Sequence, residues 1–180
     1  RDPVEGRLAL LEKDSRHAGV LRKAAEMADW GAKLPEGRSR GVAVVESFGS
    51  FVAQVAEVSV GADGAPRVHQ VWCAVDCGVA VNPDVIRAQM EGGIGFGIGH
   101  ALYGEITLEA GKPVQTNFDS YRSLRIHEMP AVEGTVIAST EKPTGVGEPG
   151  VPPLGPAVAN ALARLGQVRP RQLPMVGGTV

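Results

Sequence analysis

Several things are scarce in this chain, and each scarcity excludes something. Aromatic residues make up 4% of 180 residues, and cysteine occurs twice. No run of about 18 apolar residues exists, so no helical membrane span is expected. Charge of neither sign dominates: 18 basic residues stand against 20 acidic ones, which argues against a dedicated nucleic-acid binder. There is no Gly-x-Ser-x-Gly elbow and no Gly-Lys-Ser/Thr phosphate loop, so a serine hydrolase and a P-loop enzyme are unsupported. No internal repeat is present. The chain opens at Arg1 with neither Met nor a signal core, and reads as an internal start; the compartment stays open.

Glycine and proline are plentiful instead. With 24 and 13 copies they form about a fifth of the chain, against roughly 12% on average. A chain that is 43% hydrophobic can still bury a core. Glycine at this level, without a repeat, points to backbone brought close to something.

Apolar periodicity predicts a helix over 16–30, stopped by Gly31. Three β-branched segments follow, 41–47, 51–60 and 67–75. The Asp63-Gly64 turn between the last two suits an antiparallel meander. In the middle segment Val52, Gln54, Ala56 and Val58 share one face. Asn82 and Pro83 are good start signals for a helix running to about Tyr103. A hairpin over 104–115, a strand over 133–140, a helix over 156–165 and an extended tail over 169–175 complete the expectation. The fold class is α+β: a mixed, mainly antiparallel sheet with two or three helices packed over it. Residues 1–38 form a helical lead-in and 39–180 the α+β core.

On an unbroken strand Cys73 and Cys77 lie about 13 Å apart, too far for a disulfide. With His69 they share a strand face. Two buried thiols and a half-buried imidazole are expected there in preference to a metal site, and no metal-ligand set is assigned.

Two segments carry chemistry. Five glycines (Gly92, Gly93, Gly95, Gly97 and Gly99) interrupt the predicted long helix. Each costs up to about 1 kcal/mol there. Close packing by a neighbouring element or contact with a ligand would compensate. The second segment, 145–153, holds a single carboxylate, Glu148, framed by glycines and prolines with no other charge within five residues. It is either a helix-entry residue or a positioned base. His100 reads as a packed or solvated side chain. His127 with Arg122 and Arg125 reads as a solvated strand face more than a cationic site.

Taken together, Asp76-Cys77-Gly78, Asn82-Pro83, and Gln89 followed by Glu91-Gly92 resemble the molybdopterin-binding subunits of the xanthine oxidase and aldehyde oxidase family. Gly147-Glu148-Pro149 is similar to that family's loop carrying the active-site glutamate. The segments around 48–57 and 139–153 look most like isoquinoline 1-oxidoreductase large (beta) subunits. Ala88 stands where many relatives have glycine. The chain is also several times shorter than such a subunit, and so resembles its C-terminal part.

The resemblance implies a molybdenum–molybdopterin cofactor, plain or in the cytosine dinucleotide form, bound only by the complete subunit. Gln89 and Gly147 would lie against it. It implies hydroxylation of an electron-poor carbon of an N-heteroaromatic or aldehyde, using water, with Glu148 as base. The implied partners are the remainder of the large subunit, an iron–sulfur partner subunit and a small-molecule substrate. The competing expectation is a non-catalytic module that folds alone and supports a partner chain or pterin ligand.

Overall fold

A computed structural model describes residues 1–166 and 169–176. Helix α1 (Pro3–Leu8) leads into α2 (Arg16–Met27), which Ser15 caps through the Ala18 amide at 3.3 Å. The end of α2 comes earlier than Gly31. The chain leaves the helix at Asp29, in the left-handed region at φ 42°, which a short polar side chain tolerates.

Strands β1 (Arg38–Ser47), β2 (Ser50–Val60) and β3 (Pro66–Asp76) form the expected antiparallel meander. Phe48 and Gly49, both at positive φ, make the tight turn between the first two, as a two-residue hairpin requires. Helix α3 (Pro83–Leu102) starts at Asn82, whose side chain accepts from the Val85 amide at 3.1 Å. A small hairpin, β4 (Leu108–Glu109) and β5 (Lys112–Pro113), follows. Strand β6 (Ala131–Val136) then lies parallel beside β3, so the main sheet runs β1-β2-β3-β6. Helix α4 (Leu154–Arg164) closes the core.

The α+β class holds, and the helices are divided over both faces of the sheet. Val52, Ala56, Val58, Val71, Cys73 and Val75 face α3 and α4. Val42, Ala53, Val55 and Ala74 face α1 and α2. Alternation along each strand dictates this split. On β1, a Cβ at Gly41 would come within 2.9 Å of the Ala161 Cα on α4, so the absent side chain is what lets that helix lie directly on the sheet.

Two expectations are corrected. The tail over 169–175 is not a strand. The Met175 and Val176 amides donate to the Ala101 and Leu102 carbonyls at 2.8 and 3.2 Å, finishing the end of α3. Pro170 and Pro174 lack the N–H groups a ladder needs. Second, His69 does not share a face with Cys73. The β2–β3 register shifts between Glu57 and Val58, pairing Val58 with Val68 and Glu57 with Gln70. Such a bulge reverses the alternation, and His69 bonds Ser59 at 2.7 Å instead. Cys73 and Cys77 are free and buried, and burial pushes the Cys73 thiol up to about 12.

Candidate active site

The loop carrying Glu148 is held from three directions. Leaving β6, the chain crosses the end of β3: the Ile137 amide donates to the Val75 carbonyl at 2.8 Å, and the Thr144 amide to the Cys77 carbonyl at 2.9 Å. In return the Val79 amide donates to the Glu141 carbonyl at 2.9 Å. This crossing needs a glycine at 78. Its φ is +74°, and a Cβ there would sit 2.7 Å from the Glu141 carbonyl oxygen. Asp76 accepts from the Gly78 amide at 3.1 Å and is gripped by the Arg16 guanidinium, with Nε to Oδ2 at 2.8 Å and Nη2 to Oδ1 at 2.6 Å. That guanidinium, outweighing the effect of burial, holds the Asp76 carboxyl below the ordinary carboxylate range.

The second hold is the β1–β2 turn. The Gly145 amide donates to the Phe48 carbonyl at 3.2 Å, while Ser50 Oγ lies 2.7 Å from Thr144 Oγ1 and 2.6 Å from the Gly145 carbonyl. The third comes from the sheet floor, where Gln54 Nε2 donates to the Gly150 carbonyl at 2.8 Å. Pro149 and Gly150 are buried, whereas Gly147 and Glu148 are exposed. The Val151 amide donates to the Glu148 carbonyl at 2.9 Å and closes the turn that leads into α4. Glu148 therefore stands at the apex of a loop clamped on both limbs. Among the described residues none hydrogen-bonds or pairs with its carboxylate.

Helix α3 lies against the same loop. A Cβ at Gly93 would meet the Gly150 backbone at 3.3 Å, and one at Gly97 would meet the Val151 carbonyl at 3.1 Å. From the loop side, Gly150 faces the Met90 backbone. These glycines compensate their helical cost by close packing. Gly92 differs: nothing lies within 4 Å of its missing side chain. It sits one turn from exposed Gln89, on the outer face. Gln89 precedes Met90, which touches Gly150, and Gly147-Glu148 end two residues before Gly150. The three candidate residues thus flank one contact. A cavity of about 650 Å³ continues along that outer face, lined by Gly92, Phe96, Arg125 and Ile126 among others.

The remaining candidates take structural roles. Arg122 pairs with Glu128 at 2.5 Å and lies over the Tyr103 ring at 3.8 Å, so no open cationic patch forms with His127. His100 stacks on Phe96 with ring centroids 4.4 Å apart. Sequence reasoning missed Ser50, Thr144 and the Arg16–Asp76 clamp, because no local pattern links positions 94 or 60 residues apart. Gln54 left a readable signal, an amide on the inward face of an apolar strand. Among the described residues no group of three His, Cys, Asp or Glu side chains could hold a metal ion.

The site thus consists of a sheet with helices on both faces and a clamped carboxylate loop packed against a glycine-notched helix. Residues 21–130 match the molybdopterin cofactor-binding domain, and the chain belongs to that family. It is 37% identical over 178 residues to isoquinoline 1-oxidoreductase subunit beta of Brevundimonas diminuta, an alignment covering 97% of this chain and 23% of that one. It is 32% identical over 195 residues to a membrane-bound aldehyde dehydrogenase [pyrroloquinoline-quinone] of Gluconacetobacter polyoxogenes, covering 97% and 25%. Quinoline 2-oxidoreductase from Pseudomonas putida 86 has the same fold over 71% of this chain and 17% of its own, with a TM-score of 0.56 and 25% identity. The chain thus spans about a quarter of the length of the curated relatives it matches. The Glu148 loop lies beyond the matched domain region but within the stretch shared with both relatives.

Proposed function

We propose that this chain is the C-terminal portion of the large subunit of a molybdenum-dependent hydroxylase, and that it contributes the catalytic base. The observation that carries this is the unpaired Glu148 carboxylate on its clamped loop, packed against the helix α3 that the molybdopterin cofactor-binding domain match includes. Within the chain, residues 1–38 act as lead-in and 39–180 as the α+β core.

The residues present fit a pterin. Gln89 offers a neutral amide, and Gly92 and Gly147 leave open space, with nothing within 4 Å of either missing side chain. A flat ring can approach Gly92 and Gly147 without steric cost, and the Gln89 amide can donate to or accept from a polar edge. Soft metal ligands are not needed from the protein, since the pterin carries the metal itself. When bound, molybdenum supplies the two-electron sink and the site at which water is activated.

The overall change converts R–H and water to R–OH, two electrons and two protons. Glu148 accepts the proton released as the water oxygen attacks carbon. A carboxylate does this best when fixed within hydrogen-bond reach and free of competing partners, which is what the clamped loop provides. The substrate class is an electron-poor carbon of an N-heteroaromatic or an aldehyde. Isoquinoline, quinoline and aldehyde in the names of relatives support that range. Two buried cysteines cannot hold an iron–sulfur cluster, so the electrons leave through centres outside these residues, on a partner subunit. The remainder of the large subunit covers the outer face of α3, where Val85 and Phe96 are exposed.

In the complete enzyme, product formed in oxygen-18 water should carry the label. Glu148→Gln should lower turnover about 100-fold or more while molybdenum content is unchanged. Unlabelled product would refute the reaction class, and near-normal turnover would refute the base. The isolated 180-residue chain should show no hydroxylase activity; turnover by it would contradict the reading as well.

A further inference from the structure

Gln54 is fully buried on the inward face of β2, between Val52 and Ala56. An amide in such a place is costly unless bonded. Its Nε2 donates to the Gly150 carbonyl at 2.8 Å and lies 3.9 Å from Cys73 Sγ. Its Oε1 is the one buried side-chain polar atom without a partner among the described residues. The Gly150 carbonyl can only accept, which fixes the amide's orientation. An apolar side chain of the same length would fill the space and remove the orphan oxygen. The amide is therefore kept at the cost of one unpaired oxygen, in exchange for its bond to the Gly150 carbonyl.

What that group gains is a bond across 96 residues to the loop between Glu148 and α4. Gly150 is also wedged against Met90 and Gly93 on α3, and the Val151–Glu148 turn is built directly on it. Ser50 steadies the other limb at Thr144 and Gly145. We infer that Gln54 is a positioning residue: its amide anchors the Gly150 carbonyl to the sheet and so sets the height and direction of Glu148. This rests on the reading of Glu148 as the base.

The test uses the complete holoenzyme with two substitutions at this position. Gln54→Met keeps the volume and removes both the donor and the orphan oxygen. It should leave the protein folded and molybdenum content unchanged, with KM within about two-fold, because the orphan oxygen it removes offsets the Gly150 carbonyl it leaves unpaired. kcat should fall about ten-fold or more, because small displacements of a catalytic group are expensive. Amide exchange over residues 146–152 should become faster. Gln54→Glu distinguishes positioning from packing. A protonated carboxyl can donate to the Gly150 carbonyl and an ionised one cannot, and burial raises its pKa. Its kcat should approach wild type at low pH and fall as pH rises, in a limb the wild-type enzyme lacks.

Wild-type kcat and exchange in Gln54→Met would overturn the proposal. So would a loss of kcat that merely tracks lost stability and molybdenum, with no pH-dependent rescue by Glu. Glu148→Gln run in parallel separates the two readings. If it retains turnover while Gln54→Met loosens the loop, the tether stands but the base, and with it the positioning role, falls. If Glu148→Gln is inactive and Gln54→Met is normal, only the role of Gln54 falls.

Discussion

Helices α2 and α3 cover opposite faces of one sheet and are built on different plans. Helix α2 buries Ala18, Val20, Leu21, Ala24 and Ala25 and turns charged residues outward; Lys23 and Glu26 pair at 2.9 Å on that side. Helix α3 buries Ile86, Met90, Ile94 and Ile98, yet its outer face still carries Val85, Phe96 and open glycine. That outer face mixes these positions with exposed Asp84, Arg87, Gln89 and Glu91, so it is less uniformly charged than the outer face of α2. The face covered by α2 thus separates a buried apolar stripe cleanly from a charged outer surface. On the other, the inner glycines of α3 admit the Glu148 loop, and its outer glycine, Gly92, has nothing within 4 Å of its missing side chain.

The largest effect expected in stability measurements on this chain is at the core beneath α2. Leu21→Ala should destabilise by about 2–5 kcal/mol, read by denaturant unfolding; a loss below 1 kcal/mol would mean that α2 is only loosely docked. Smaller but sharper is the contrast within α3. Alanine normally exceeds glycine in a helix by up to about 1 kcal/mol, and Gly92→Ala should show that gain. Gly97→Ala should instead lose about 1 kcal/mol, since its Cβ would press on the Val151 carbonyl, a backbone atom with little room to move. If both substitutions stabilise, the loop is not packed on α3 as described.

The acid sensitivity of the α1/α2 face sharpens the comparison further. Burial favours the neutral form of Glu57, but the guanidiniums of Arg38 and Arg40 outweigh it and hold the carboxyl below the usual carboxylate range. Asp76 is held low by Arg16. Carboxylates with a lowered pKa in the folded state contribute stability fully above their unfolded pKa, about 4, and lose it as pH falls through the folded values. The melting temperature should drop below about pH 4, and Asp76→Asn should flatten part of that drop. An unchanged slope would remove the Arg16–Asp76 clamp from the account. Phe96→Ser should have the smallest effect, within about 0.5 kcal/mol in this chain, while weakening assembly of the complete subunit.

Much of this was legible from local pattern. The meander, the Asn82 cap and the α+β class follow from periodicity and turn chemistry, and alternation alone placed Val52, Gln54, Ala56 and Val58 on one face. Glu148 stood out because nothing charged lies near it. Three things were not legible. The bulge that turns His69 away adds one residue to a strand whose composition does not change. The distribution of helices over both faces depends on tertiary packing that apolar stripes on α2 and α4 do not specify. The clamps at Ser50, Gln54 and Asp76 join residues 60 to 96 positions apart, and only folding brings them together.

The central claim is that Glu148 takes the proton in the chemical step. It is tested most directly by single-turnover reduction of the molybdenum centre by substrate, in complete enzyme matched for molybdenum content. Following that step alone separates chemistry from product release. The account predicts that Glu148→Gln slows it about 100-fold or more. Reduction at the wild-type rate in that variant would contradict it.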